Sequence, residues 1–303
     1  TKRIVFVSLL YSGLAFLGFV LWTVGGVFVL SLSEISASDE FAQAKNIEPQ
    51  GFVGFLLFLM VFGLIWGLAF LRDQSRFIYV SSVASYYFSS TPALEGRSDV
   101  AGAFSLALFT HAGSIALGSL IHTLFTLLRM MVESMETESR QSDNAAAQIF
   151  ACVARCIVSC LEGIIEYLSE SAYAFMAVSG QPYCESAWNG FLVNLKHCVK
   201  FIFAFQQAKA FVFLGVCSIV AVNCSIFYVS AEYLTNDGYL IDSYAGPIII
   251  VIFVTVVVAS VFLSLLDDIV MGMLICVAID MDLNNGRPMF GPPAFHEKLA
   301  EVL

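Results

Sequence analysis

Six long apolar runs dominate this sequence: Ile4–Leu30, Gly51–Leu71, Val100–Val132, Gln148–Val178, Phe211–Tyr233 and Pro247–Val277. A hydrocarbon core of about 30 Å is crossed by roughly 20 helical residues, because a backbone in lipid must satisfy its own hydrogen bonds. Runs of this length and number therefore predict an all-α polytopic transmembrane bundle of about six spans. The composition agrees: 59% of residues are hydrophobic and only 13% charged, with a mean hydropathy of +0.84. The expected organisation is a single transmembrane domain over residues 1–303 with a short polar tail at 278–303. Every proline, from Pro49 to Pro293, falls between runs, in a run's first turn or in the tail, where a missing N–H costs least.

The charges give a direction to this bundle. With a cytoplasmic N-terminus, Lys2, Arg3, Arg72, Arg76, Arg97, Lys196, Lys200, Lys209, Arg287 and Lys298 fall on the inner side, ten of the 14 basic residues. The opposite loops are acidic: Glu34, Asp39, Glu40 and Glu48, then Glu133, Glu136, Glu138 and Asp143, then Asp237 and Asp242. This is the positive-inside pattern, with both termini on the same side. The fourth run carries Arg155, Glu162, Glu166 and Glu170. Either it crosses with these groups turned toward protein or a water-filled cavity, or it lies at the interface.

Several classes of function find no support. No basic patch suggests nucleic acid, and no GxSxG, phosphate-cradling glycine loop or zinc-protease pair argues for an enzyme. The tail stretch "DMDLNNG" fails as a calcium loop, since Asn285 stands where Gly is needed and Gly291 where a bidentate Glu belongs. His111 and His122 share a face but lack partner histidines in other spans, so no metal or cofactor is expected. The eight cysteines do not form a loop disulfide framework. Cys152, Cys156 and Cys160 read as one packing stripe.

The stretch "ESAYAFMAVSGQPYCESAW", Glu170–Trp188, concentrates acids, hydroxyls and aromatics between greasy runs. Glu162, Glu166 and Glu170 recur at i, i+4, i+8 on one helix face. Within a span such a face attracts a cation; at a surface it is merely solvated. A quaternary ammonium has no hydrogen to donate, so its site relies on aromatic faces and diffuse negative potential. Tyr167, Tyr173, Phe175, Tyr183 and Trp188 lie close enough in sequence to provide them, although Tyr and Trp also mark the headgroup belt of any membrane protein. Gly63 and Gly67 form a GxxxG, and Ser114 and Gly118 repeat the spacing in the third run, the pattern of close helix packing.

At "HAGSIALGSLIHTLFTLLRMM", "CLEGIIEYLSESAYAFMAVSGQPYCESAWNGFLVNLKH" and "FLSLLDDIVMGMLICVAIDMDLNNGRP", with "SVASYYFSS" before them, the chain resembles the choline transporter-like family of solute carriers. The resemblance implies a multi-pass carrier of choline and related amines with ten spans and cytoplasmic ends, of which this chain matches the last six, the N-terminal spans being absent. It carries over the Gly113–Gly118 packing segment, Glu166-Tyr167, Ala172-Tyr173, the turn at Tyr183-Cys184 and Ser186-Ala187, and the Asp280–Gly286 tail. The leading expectation is transport of a small organic cation by alternating access. Glu162 and Glu166 would supply attraction, Tyr167, Tyr173 and Trp188 the cage, and Gly113, Ser114 and Gly118 a moving surface. The alternative is a non-transporting structural subunit of a larger membrane complex derived from that family, its acidic outer loops meeting a basic neighbour. The expected location is a membrane, plasma or organellar, with lipid as the first partner.

Overall fold

The computed structural model describes residues 2–31, 51–140, 145–236 and 244–302. Among them are eight α-helices: α1 (Lys2–Leu30), α2 (Gly51–Ser89), α3 (Val100–Ser105), α4 (Ala112–Arg140), α5 (Ala145–Ser179), α6 (Tyr183–Asn236), α7 (Ala245–Leu283) and α8 (Pro293–Val302). Six, α1, α2, α4, α5, α6 and α7, contain stretches long and apolar enough to cross a membrane. The fold is all-α and multi-pass, as the apolar runs require.

The helices reach further than the runs. The polar stretch from Arg72 to Arg76 reads as the end of a span, yet α2 continues through "FIYVSSVASYYF" to Ser89, because the apolar pattern resumes before any breaker. Glu133, Glu136 and Glu138, read from sequence as loop acids, lie on the last turns of α4. The third run is not one helix. Asp99 caps α3 by accepting from the Gly102 N–H at 2.9 Å, a π-helical stretch follows at Leu106–Thr110, and the chain bends at His111 before α4 begins. The acidic residues Glu34, Asp39, Glu40, Glu48, Asp143, Asp237 and Asp242 lie outside the described residues.

Two compact units are present. The first comprises Leu9–Ser75 and Ala107–Ser169. In it α1 and α2 are antiparallel, joined by Tyr11 Oη donating to Gln74 Oε1 (3.1 Å) and Trp22 Nε1 donating to the Met60 carbonyl (2.9 Å). Trp66 Nε1 reaches the Ala116 carbonyl of α4 at 3.3 Å. Helices α4 and α5 form a second antiparallel pair, in which Arg129 meets Glu162 and, toward the α4 end, Glu136 meets Arg155.

The second unit comprises Thr1–Ser8, Arg76–Leu106 and Glu170–Leu303. Here α2 and α7 run parallel and in step: Arg76 bonds Asp268, Val80 packs on Gly272, Ala84 and Tyr87 cluster with Cys276, and Tyr87 bonds Asp280. The last turns of α5 follow the same direction, with Glu170 beside Arg76 and Val178 against the Ala84–Tyr87–Cys276 cluster. Helix α6 opposes α7, Lys196 pairing with Asp282 and Gly215 packing on Leu263.

Between α5 and α6 the chain reverses in three residues. Gly180 takes a positive φ of 71° and its N–H returns to the Met176 carbonyl at 2.9 Å, the left-handed stop that a glycine permits. Pro182 then precedes α6, whose Gly190 comes so close to α5 that a Cβ there would stand 2.9 Å from the Ser171 carbonyl oxygen and 3.1 Å from its carbon. Backbone cannot rotate aside as a side chain can. Gly190→Ala is therefore expected to destabilise the protein by about 1–3 kcal/mol by forcing α5 and α6 apart, read as a lower unfolding temperature in detergent. An unchanged temperature would mean that the two helices do not meet there.

Candidate functional site

Two carboxylates on the α4/α5 hairpin are turned inward. On the α4/α5 hairpin, the Glu162 carboxylate, 12% exposed, accepts from Arg129 Nη1 at 2.9 Å and from Thr126 Oγ1 at 3.3 Å. Glu136, 7% exposed, takes Arg155 Nη1 at 2.9 Å. The outward faces carry Ile149, Phe150, Val153, Ile157 and Ile164, all exposed. In water this hairpin would be inside out. In lipid it is correctly arranged, because the expensive groups pair with one another and the apolar ones meet acyl chains.

The residues expected to form a cation cage are distributed differently from one another. Glu162 belongs to the first unit and pairs with Arg129, which also meets Glu133 at 3.6 Å. Glu166 and Tyr167 lie on α5, their side chains outside those described. Tyr173 is fully buried in the second unit and packs on Tyr183, ring centroids 5.7 Å apart and planes tilted by 49°. Trp188 is 63% exposed and lies against Phe191, its centroid 6.0 Å away. The structure thus brings Tyr173 and Tyr183 together and leaves Trp188 facing outward.

The packing glycines also behave unequally. A Cβ added to Gly63 or Gly67 would meet nothing within 4 Å, nor would one on Gly113. Gly118 is buried and Ser114 half-buried on α4. Gly63 and Gly67 line an apolar cavity of 510 Å³ with Gly18, Trp22, Met60 and Leu71.

The most strongly charged buried cluster is one that sequence spacing does not single out. In the second unit Arg76 of α2 donates from Nε to Asp268 Oδ1 of α7 at 2.7 Å and places Nη2 3.3 Å from Glu170 Oε1 of α5. Their side chains are 12%, 12% and 15% exposed. One guanidinium is thereby shared by two carboxylates. Beside them the half-buried Asp267 has, among the described residues, no hydrogen-bond partner for its buried Oδ1. Among the described residues, the three carboxylates of Glu170, Asp267 and Asp268 thus stand around the one guanidinium of Arg76. Glu170 and Tyr173 are three residues apart on α5, so acid and aromatic share a helix face. On α6, Asn194 is 2% exposed, and neither amide atom is bonded among the described residues. An ionisable pair inside an apolar run is the sequence signal that marks Asp267-Asp268; its link to Arg76, 192 residues away, has none.

Comparison with known proteins then decides the family. The profile of the plasma-membrane choline transporter family matches residues 1–282. This chain belongs to that family. Among its relatives, choline transporter-like protein 2 of Dictyostelium discoideum is 24% identical over 284 residues, which is 94% of this chain and 44% of that protein. Choline transporter-like protein 5 of Xenopus tropicalis is 26% identical over 80% of this chain and 35% of its own length. Choline transporter-like protein 4 of Xenopus laevis is 28% identical over 75% and 33%. The chain thus spans between a third and somewhat under half of the length of these relatives. It is a choline transporter-like integral membrane protein, multi-pass and in contact with lipid.

Proposed function

We propose that this choline transporter-like chain carries choline or a related small organic cation by alternating access, and that the cation is drawn to the Arg76–Glu170–Asp267–Asp268 cluster. The observation that carries this reading is the surplus carboxylate among buried groups. A net negative charge in a poorly solvated interior is costly until a cation compensates it. A quaternary ammonium suits such a place because it asks for charge and polarisable surface, not for hydrogen-bond acceptors in fixed positions. Tyr173, one turn from Glu170 and packed on Tyr183, is the aromatic group nearest in sequence to this cluster, and a rearrangement of the buried pair would open its ring to the cation. Glu162, held by Arg129, steadies the α4/α5 hairpin. Trp188, exposed beside Phe191, is left out of this cage.

The test is uptake of labelled choline into proteoliposomes containing this chain alone. Saturable uptake, suppressed by excess unlabelled choline, is expected; uptake no greater than that of empty vesicles would overturn the reading.

A second reading, a non-transporting subunit of a larger membrane complex, is favoured by one specific feature: the open cavity at Gly63 and Gly67, where close helix contact is expected and none of the described helices makes it. Co-migration with several other subunits in mild detergent would support it, and a monodisperse monomer or dimer would count against it.

A further inference from the structure

Beyond α7 the chain folds back on α2, and one buried carboxylate organises the return. Asp280, fully buried, accepts four hydrogen bonds. Tyr87 Oη of α2 donates to Oδ2 at 2.9 Å, as do the backbone N–H groups of Met289 and Phe290, each at 2.9 Å, while Asn284 Nδ2 donates to Oδ1 at 2.7 Å. No cation pairs with it among the described residues. The negative charge is held entirely by neutral donors, three of them from outside α7 and its cap.

The segment between is shaped to deliver those donors. Asn284 closes α7, its N–H on the Asp280 carbonyl at 3.0 Å, and Asn285 and Gly286 turn the chain with φ of 53° and 85°. Gly291 donates its N–H to the Ser90 carbonyl at the end of α2, 3.2 Å away. Its φ is 112°, and a Cβ there would stand 3.0 Å from the Tyr87 ring and 3.1 Å from the Phe295 ring. Only glycine fits on both counts. Aromatic contacts seal the closure: Phe290 on Phe88 at 5.6 Å, Phe295 on Tyr87 at 6.4 Å and Phe88 on Tyr87 at 5.2 Å.

We propose that the segment Asn284–Phe295 is a clasp, fastened on Asp280, that makes residues 76–89 of α2 and 268–283 of α7 a single rigid body. Lifting the Met289–Phe290 stretch would strip two of four donors from a fully buried carboxylate, so the clasp stays shut under ordinary fluctuation. The rungs below it, at Ala84 and Cys276, Val80 and Gly272, and Arg76 and Asp268, then hold register along three turns. Any large movement of this bundle takes place at other helix surfaces. This inference does not rest on transport.

The test is hydrogen exchange of the full chain in lipid nanodiscs, followed on peptides containing Met289 and Phe290, with a disulfide as second readout. Asp280→Asn is expected to speed exchange of that peptide by about 100-fold, and Tyr87→Phe, which removes one donor, by about 10-fold. A Cβ at position 272 lies 3.5 Å from the Val80 Cβ, within disulfide range. Val80→Cys with Gly272→Cys is therefore expected to cross-link nearly completely in an otherwise unaltered chain, and at least several-fold more slowly once Asp280→Asn is added. Wild-type exchange in folded Asp280→Asn protein, or cross-linking indifferent to that change, would overturn the proposal. If Asp280→Asn does not fold, Tyr87→Phe and Gly291→Ala carry the same comparison, and an unprotected peptide in the wild-type chain overturns it outright. None of these readouts uses choline, so the clasp stands or falls separately from the carrier reading.

Discussion

Arg76→Met is expected to cost about 3–5 kcal/mol of stability, the range found when one member of a buried ion pair is removed and its partner is left charged. Arg76 is worth this much because it serves two carboxylates at once, from a position only 12% exposed. Without it Glu170 and Asp268 would repel each other in a medium that screens little. The loss should appear as a markedly lower unfolding temperature in detergent. Second-site neutralisation supplies the internal control: Arg76→Met combined with Asp268→Asn should recover a large part of the loss, because the double change removes a charge pair instead of orphaning a charge. Arg76→Lys should fall between, since an ammonium cannot present the guanidinium's fork to two acceptors on different helices. If the single and double variants are equally unstable, the cluster is not the ionic junction described.

Asp267→Asn is expected to weaken choline binding by tenfold or more without loss of stability. The carboxylate contributes charge, but its buried Oδ1 makes no hydrogen bond that folding would lose. Two unit charges about 8 Å apart at an effective dielectric of about 20 interact by about 2 kcal/mol. Each tenfold in affinity is about 1.4 kcal/mol. Neutralising Lys209 should act in the opposite sense, tightening binding, though only by about twofold because its exposed position is screened by solvent and salt. Equilibrium binding of labelled choline to purified protein in nanodiscs checks both signs. Equal affinity in the wild type and both variants would remove Asp267 from the site.

The bundle was legible because hydropathy acts over twenty residues at a time, and runs such as Pro247–Val277 leave a chain few alternatives to a spanning helix. Family membership was legible too, since its motifs lie in order along the chain. The extension of α2 past Leu71 was hidden by the polar cluster at Arg72–Arg76, which mimics a span's end although three of its side chains are satisfied by other helices or by each other: Gln74 by Tyr11, Arg76 by Asp268 and Asp73 by Arg72. The break at Leu106–Thr110 has no glycine or proline to announce it. Gly63 and Gly67 show the limit of motif reading, because small residues permit close approach without requiring it. The Arg76 cluster and the Asp280 clasp join residues 94, 192 and 193 positions apart. A single sequence has no periodicity at that range, so only the fold could assemble them. Glu162, by contrast, was conspicuous by spacing, whereas its pairing with Arg129, 33 residues away, was not.

What most directly probes an anionic interior that selects a cation is competition against labelled choline by unlabelled choline and by its uncharged carbon isostere, in which a quaternary carbon replaces the nitrogen. The two share shape and hydroxyl and differ in one positive charge. Displacement by choline at more than tenfold lower concentration than by the isostere is the expected result. Equal displacement by both would contradict a charge-selected site, and so would failure of choline itself to compete.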